Sequence, residues 1–179
     1  MDVQLAGLVE ESVVDGPGMR FVIFTQGCKH NCEGCHNPQT HDLVGGEKVT
    51  VDYLKGEIDK QQLIRGITFS GGEPFLQAKA MAVLARYAKE KGLHTLAYTG
   101  YTFEQLKKLS RKDKAIADFL SQLDMLVDGP FILAERDITL QFRGSRNQRI
   151  LDVPASLKKE EAVIWEDPND VILRQFHRD

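Results

Sequence analysis

The chain is 179 residues long, the size of one domain. Its 42% hydrophobic and 27% charged residues are those of a globular protein and exclude a disordered or fibrous chain. With 23 basic against 26 acidic residues the net charge is −3, which argues against nucleic-acid binding, where a basic excess is expected.

At the N-terminus, Met1-Asp2-Val3-Gln4 has no basic stretch leading into an apolar one, so no secretory signal is expected. Residues 20–25 are short, apolar and rich in Phe, Val and Ile, the pattern of a buried strand. The apolar run within them is far too short to cross a bilayer, and no membrane association is expected. Residues 26–43 hold polar breakers and read as an irregular loop. A helix follows over 51–62 with Thr50 as N-cap, then a strand over 66–69 ended by Ser70-Gly71-Gly72. Residues 77–91 form the clearest helix: Ala80, Val83, Leu84, Tyr87 and Ala88 share one face, and Gly92 stands at the C-cap. A strand over 93–98 ends at Thr99-Gly100. Thr102 with Gln105 fits a capping box opening a helix through 109, and another helix covers 115–123. Met125-Leu126-Val127 is a strand closed by Asp128-Gly129-Pro130, and 148–152 and 162–165 are further strand candidates. No repeat or linker interrupts the chain, so a single domain over 1–179 is expected. Its tail, 154–179, carries no motif, and the charges at Glu160-Glu161 and over 174–179 read as solvated surface.

Alternating strands and helices imply an α/β fold with a mostly parallel sheet and right-handed crossovers. The loop over 26–43, Ser70-Gly71-Gly72-Glu73, Thr99-Gly100-Tyr101 and Asp128-Gly129-Pro130 each follow a strand directly. In a parallel sheet they share the carboxyl edge, where α/β folds place ligands.

All three cysteines lie in the first of these loops, as Cys28, Cys32 and Cys35 in a C-x3-C-x2-C spacing. An odd, tight cluster is a poor disulfide framework and a natural metal site, and such thiols with no export signal point to a reducing cytoplasm. Three thiolates on one loop can hold three irons of a cubane and leave the fourth open to a ligand. A structural zinc borrowing His30, His36 or His41 is the alternative, although structural zinc ligands come more often as two separated pairs.

The C-x3-C-x2-C loop after a first strand resembles the radical S-adenosylmethionine (SAM) enzymes. Ser70-Gly71-Gly72-Glu73-Pro74 resembles their second motif, a Gly-Gly-Glu turn. Within the superfamily the chain resembles the glycyl-radical activating enzymes: Val14-Asp15-Gly16-Pro17-Gly18-Met19-Arg20 is similar to their VDGPGxR signature, and His36-Asn37-Pro38 follows the last cysteine as in that group. Tyr98-Thr99-Gly100-Tyr101, Leu126-Val127-Asp128-Gly129-Pro130-Phe131 and the RGSxNQR-like segment Arg143-Gly144-Ser145-Arg146-Asn147-Gln148-Arg149 resemble the branch that activates anaerobic ribonucleoside-triphosphate reductase. Gly34 before the last cysteine fits that branch, where many radical SAM enzymes carry an aromatic. His41 departs from it, standing where the branch often shows Trp.

The resemblance implies an incomplete parallel β/α barrel and an oxidoreductase activity. It further implies that a [4Fe–4S] cluster held by Cys28, Cys32 and Cys35 passes one electron to SAM on the open iron. The resulting 5′-deoxyadenosyl radical takes a hydrogen atom from a glycine of the partner reductase. Gly71, Gly72 and Glu73 are implied to bind the methionyl end of SAM, and Gly34 and His36 to line its adenine through backbone atoms. Arg143, Ser145 and Asn147 are candidates for SAM's carboxylate or ribose or for the partner's glycine loop, the alternative being a polar hydrogen-bonded turn. Asp15 and Arg20 face either the same mouth or form a turn with a solvated arginine, and Asp128 either touches ribose or caps a turn. A reduced flavodoxin-type protein is the implied electron donor. Two rival functions are an activase for another glycyl radical enzyme, of the pyruvate formate-lyase type, and a non-catalytic zinc-binding interaction module.

Overall fold

The computed structural model describes residues 1–168; the charges predicted over 174–179 lie outside them. Seven strands form one sheet in the order β3-β1-β2-β4-β5-β6-β7. They are β1 (Asp2–Ser12), β2 (Arg20–Thr25), β3 (Glu47–Thr50), β4 (Gly66–Gly71), β5 (His94–Tyr98), β6 (Met125–Asp128) and β7 (Arg149–Asp152). The helices are α1 (Val51–Lys60), α2 (Ala78–Glu90), α3 (Phe103–Ser110), α4 (Lys114–Ser121) and α5 (Val153–Lys159).

The sheet is mixed, which corrects the expectation of a mostly parallel one. β2, β4, β5 and β6 run parallel, while β1 and β3 on one flank and β7 on the other pair antiparallel. The reason lies in the connections. Helices carry the chain back between the central strands, whereas β1 returns into β2, and β6 into β7, without a crossover helix. Strands β1 and β3 and helix α5 escaped prediction. β1 alternates Val3 and Leu5 inward and then turns polar and exposed, and β3 has no fully buried residue. At 162–165 there is an isolated bridge of Ile164 to Leu151 rather than a full strand.

Period-two alternation splits the central strands between two faces. Phe21, Ile23, Ile67, Phe69, Ala97 and Leu126 join Leu54, Met81, Leu84, Phe103 and Phe119 of the helices in the main core. On the other face Leu96, Met125 and Val127 meet Tyr98, Ile150 and Trp165. The predicted start signals are formed: Thr50 caps α1 by accepting from the Tyr53 amide, and Thr102 with Gln105 makes a full capping box at α3. Asp152, with Pro at the first turn, caps the short α5.

Candidate functional site

A cavity of about 450 Å³ opens at the carboxyl edge of the parallel strands, where the four singled-out loops converge. The cysteine loop leaves β2 and is closed at its neck by Gly27 N donating to Thr40 O at 2.9 Å and Cys28 N to His41 O at 3.2 Å. Inside the neck the buried Gln26 amide donates to Gln39 O and Asp42 O. The three free cysteines are half-buried and all line the cavity. Burial pushes the Cys28 thiol pKa up, aided by the nearby Glu73 and Cys32, while hydrogen bonds from the His30 and Asn31 backbone work against it. The Asn37 amide donates to the Cys35 sulfur at 3.4 Å. Among the described residues no three His, Cys, Asp or Glu side chains close on one metal ion. The three thiols line one cavity, and an all-sulfur donor set with amide donors to the sulfurs suits an iron–sulfur cluster.

Packing against that neck explains the glycines after β4. Gly71 has φ +96°, and a Cβ there would lie 2.5 Å from Thr25 N; one on Gly72 would lie 2.3 Å from Gly27 O. Their backbone is stitched across: Gly72 N donates to Thr25 O at 2.7 Å and Glu73 N to Gly27 O at 2.8 Å. The Glu73 carboxylate is 1% exposed and sits behind the cavity wall, bonded to His30, Thr99 and Gly100 that line it. It accepts from Phe75 N, Thr99 Oγ1, Gly100 N and His30 Nε2.

The loop after β6 is held by its own polar side chains. Gln148 accepts from the Gly144 and Ser145 amides and donates to Gly129 O. Ser145, fully buried, accepts from the Ile132 amide at 3.2 Å. Asn147 donates to Pro130 O at 2.8 Å, leaving its buried Oδ1 without a partner among the described residues. Arg143 donates to Gln148 O and still lines the cavity. Asp128 takes the capping alternative: it accepts from Phe103 N at 2.7 Å at the start of α3 and pairs with Arg149.

Arg20 is fully buried, which corrects the reading of a solvated arginine. Its guanidinium donates to Thr68 Oγ1 at 3.0 Å and Ile67 O at 2.7 Å, and meets His94 Nδ1 at 3.0 Å. Desolvation lowers its pKa to about 10. Thr68 in turn donates to Asp15 O, and through this ladder Val14 and Asp15 are brought to the cavity wall.

A family profile described as a 4Fe-4S single cluster domain matches residues 14–151. The anaerobic ribonucleoside-triphosphate reductase-activating protein of Vibrio cholerae is 36% identical over 146 residues, which cover 77% of this chain and 90% of that protein. The protein of the same name from Pasteurella multocida is 34% identical over 149 residues, with the same coverage. The pyruvate formate-lyase 1-activating enzyme of Escherichia coli is 33% identical over 158 residues, but these cover only 61% of that enzyme. The chain belongs to the radical SAM activating-protein family.

Of the residues singled out from sequence, this family member brings Cys28, Cys32, Cys35, His36, Gly71, Gly72 and Arg143 to the cavity wall. Gly34, Glu73, Ser145 and Asn147 lie outside the lining: Gly34 packs on Leu133, and the other three hold neighbouring loops. The lining also includes Phe24, Tyr98, Phe131, Phe142 and Gln148, which sequence reasoning did not assign. Alternation along β2 and β5 carried the signal for Phe24 and Tyr98, since each is the end residue facing away from the helices. Phe131 stood only as the end of the Leu126–Phe131 motif with no role attached, and Phe142 had no signal, because the loop bearing them has no period.

Proposed function

We propose that this chain is the activase of an anaerobic ribonucleoside-triphosphate reductase, generating a glycyl radical on it at the expense of SAM. The observation that carries the reading is the meeting of three half-buried cysteines with the Gly71-Gly72 turn around one cavity at the sheet's carboxyl edge. Near full-length coverage of the reductase-activating relatives, against partial coverage of the pyruvate formate-lyase one, supports this partner over the other.

Cys28, Cys32 and Cys35 hold the [4Fe–4S] cluster in this reading. When bound and reduced, the cluster supplies the electron that splits the SAM sulfonium and yields the 5′-deoxyadenosyl radical. The chain's own residues bind and shield. The backbone at Gly71, Gly72 and Glu73 offers close approach to the methionyl end. The backbone near Gly34 and His36 takes the adenine side, with the His36 ring 5.0 Å from Phe131. Arg143 supplies a cation for a carboxylate, while Ser145 and Asn147 serve by shaping the loop that presents it. The four parallel strands form part of an incomplete β/α barrel, and residues 1–179 act as one radical SAM core. A flavodoxin-type donor in the cytoplasm delivers the electron. Among the described residues no helix is long and apolar enough to cross a membrane.

The test is electron paramagnetic resonance of the reductase after incubation with this protein, SAM and a reductant under anaerobic conditions. A glycyl doublet is expected, and Cys32→Ala should lose iron, SAM cleavage and the doublet together. A doublet on pyruvate formate-lyase and none on the reductase would reassign the partner. A colourless protein holding one zinc and inert to SAM would refute the enzyme.

A further inference from the structure

The Glu73 carboxylate is at its hydrogen-bonding capacity. A carboxylate offers about four lone-pair positions, and Phe75 N, Thr99 Oγ1, Gly100 N and His30 Nε2 occupy them. The His30 contact spans the greatest distance along the chain. It joins a side chain between Cys28 and Cys32 to the residue that ends the Gly71-Gly72 turn, at 2.8 Å, with His30 19% exposed. The imidazole is built into place. Its ring stands edge-on to Tyr101 with centroids 4.5 Å apart. A Cβ on Gly100 would fall 2.4 Å from its Cδ2, so the absence of a side chain at Gly100 is what gives the ring room.

We propose that His30 is a positioning residue: a clasp that ties the middle of the cysteine loop to Glu73 and so sets the distance between the thiols and the Gly71-Gly72 turn. The backbone stitches at Thr25 and Gly27 hold the loop only at its neck. Cys32 and Cys35 lie beyond the neck; Gly34 and His36 pack this part of the loop on Leu133 and Phe131, and His30 is what ties it by hydrogen bond to the side of the Gly71-Gly72 turn. The activase reading enters only in what the two loops hold; the clasp belongs to the chain itself.

Two measurements test it. In the reconstituted protein, His30→Ala should keep its iron yet bind SAM about tenfold more weakly and alter the SAM-induced change in the cluster's paramagnetic spectrum. His30→Gln, whose amide can donate to Glu73, should restore both. Unchanged SAM affinity and spectrum in His30→Ala would overturn the clasp. So would loss of iron in both variants, which would make His30 a ligand. In the metal-free chain, Gly100→Ala should lower the urea midpoint by driving the ring out, and adding His30→Ala should bring the midpoint back to that of His30→Ala alone. Additive losses would overturn the clasp. Because the second measurement needs no metal, a wild type that takes up no iron would sink the activase reading and leave the clasp to be judged by this cycle.

Discussion

Arg149 closes the RGSxNQR-like segment, and its surroundings make it structural. Its Nε donates to Asp128 Oδ1 at 3.0 Å and its Nη2 to Asp128 Oδ2, a bidentate pair on a carboxylate that is 1% exposed. Two further bonds reach Glu104, at 3.2 and 2.8 Å. Asp128, then Glu104, hold the Arg149 pKa above its usual value. Arg149→Met keeps most of the aliphatic stem and removes the charge. Removing one partner of a buried pair costs about 3–5 kcal/mol. Two facts pull the value down: Arg149 is 33% exposed, and Asp128 keeps the Phe103 amide as a donor. The Glu104 arm, 59% exposed, adds at most about 1 kcal/mol. The expected loss is therefore roughly 2–3 kcal/mol, or a fall in Tm of roughly 5–10 °C for a chain of this length. Urea unfolding measures it, with an unchanged slope showing that the denatured state is the same. Adding Asp128→Asn removes the stranded charge while retaining an acceptor for Phe103, and should recover about 1 kcal/mol. If Arg149→Met stays within about 0.5 kcal/mol of the parent yet fails to activate the reductase, Arg149 is a recognition residue and the structural account is wrong.

Two other expectations follow from the geometry. Burial, then the neighbouring Arg20 charge, hold the His94 imidazole below its usual 6.5, with Asp124 opposing them. An unfolded chain therefore takes up a proton near pH 6.5 that the folded chain refuses, so stability is whole above that pH and falls as the pH drops through it; His94→Gln should flatten this slope, and equal slopes in parent and variant would contradict the reasoning. Gly34 has φ +71° and a Cβ there would stand 2.9 Å from Leu133 Cδ1, so Gly34→Ala should cost about 1–2 kcal/mol through the left-handed backbone alone, read by urea unfolding of the metal-free chain; no measurable loss would mean the loop re-forms without the positive φ.

The parts of the fold that were legible are those whose signal is local. Helix α3 announced itself through a capping box spanning four residues of sequence, Thr102 to Gln105. Helix α2 did so through one apolar face. Strands β2, β4, β5 and β6 showed as short apolar runs because both their faces are covered. What failed was the edge. Strand β3 is exposed along most of its length and exists by pairing with β1, residue by residue from Asp2↔Thr50 to Leu5↔Glu47. Its neighbour supplies the cause, and that neighbour lies more than forty positions away. The direction of β7 was hidden for the same reason, since antiparallel pairing with β6 follows from a loop that returns without a helix.

At the site, the three cysteines read from spacing as one metal site line one cavity, because three thiols on a short loop have little freedom to part. Charged and polar motif residues were harder, and Glu73 and Arg20 explain why. A charge near a ligand site can face the ligand or satisfy its own neighbours, and desolvation decides between the two. Glu73 is surrounded by donors from three separate strand exits: His30 after β2, Phe75 after β4, Thr99 and Gly100 after β5. Arg20 finds its acceptors on β4 and β5. Each is a polar group placed where several elements end, and its hydrogen bonds fasten those ends together. Such a residue carries a motif's identity through the backbone geometry that the fastening imposes on the loops around it. Gly71, Gly72 and Gly100 are the complement: where a buried polar side chain draws two loops to within contact, the opposing backbone has no room for a Cβ. The charged and the glycine positions of these motifs are thus two sides of one packing requirement.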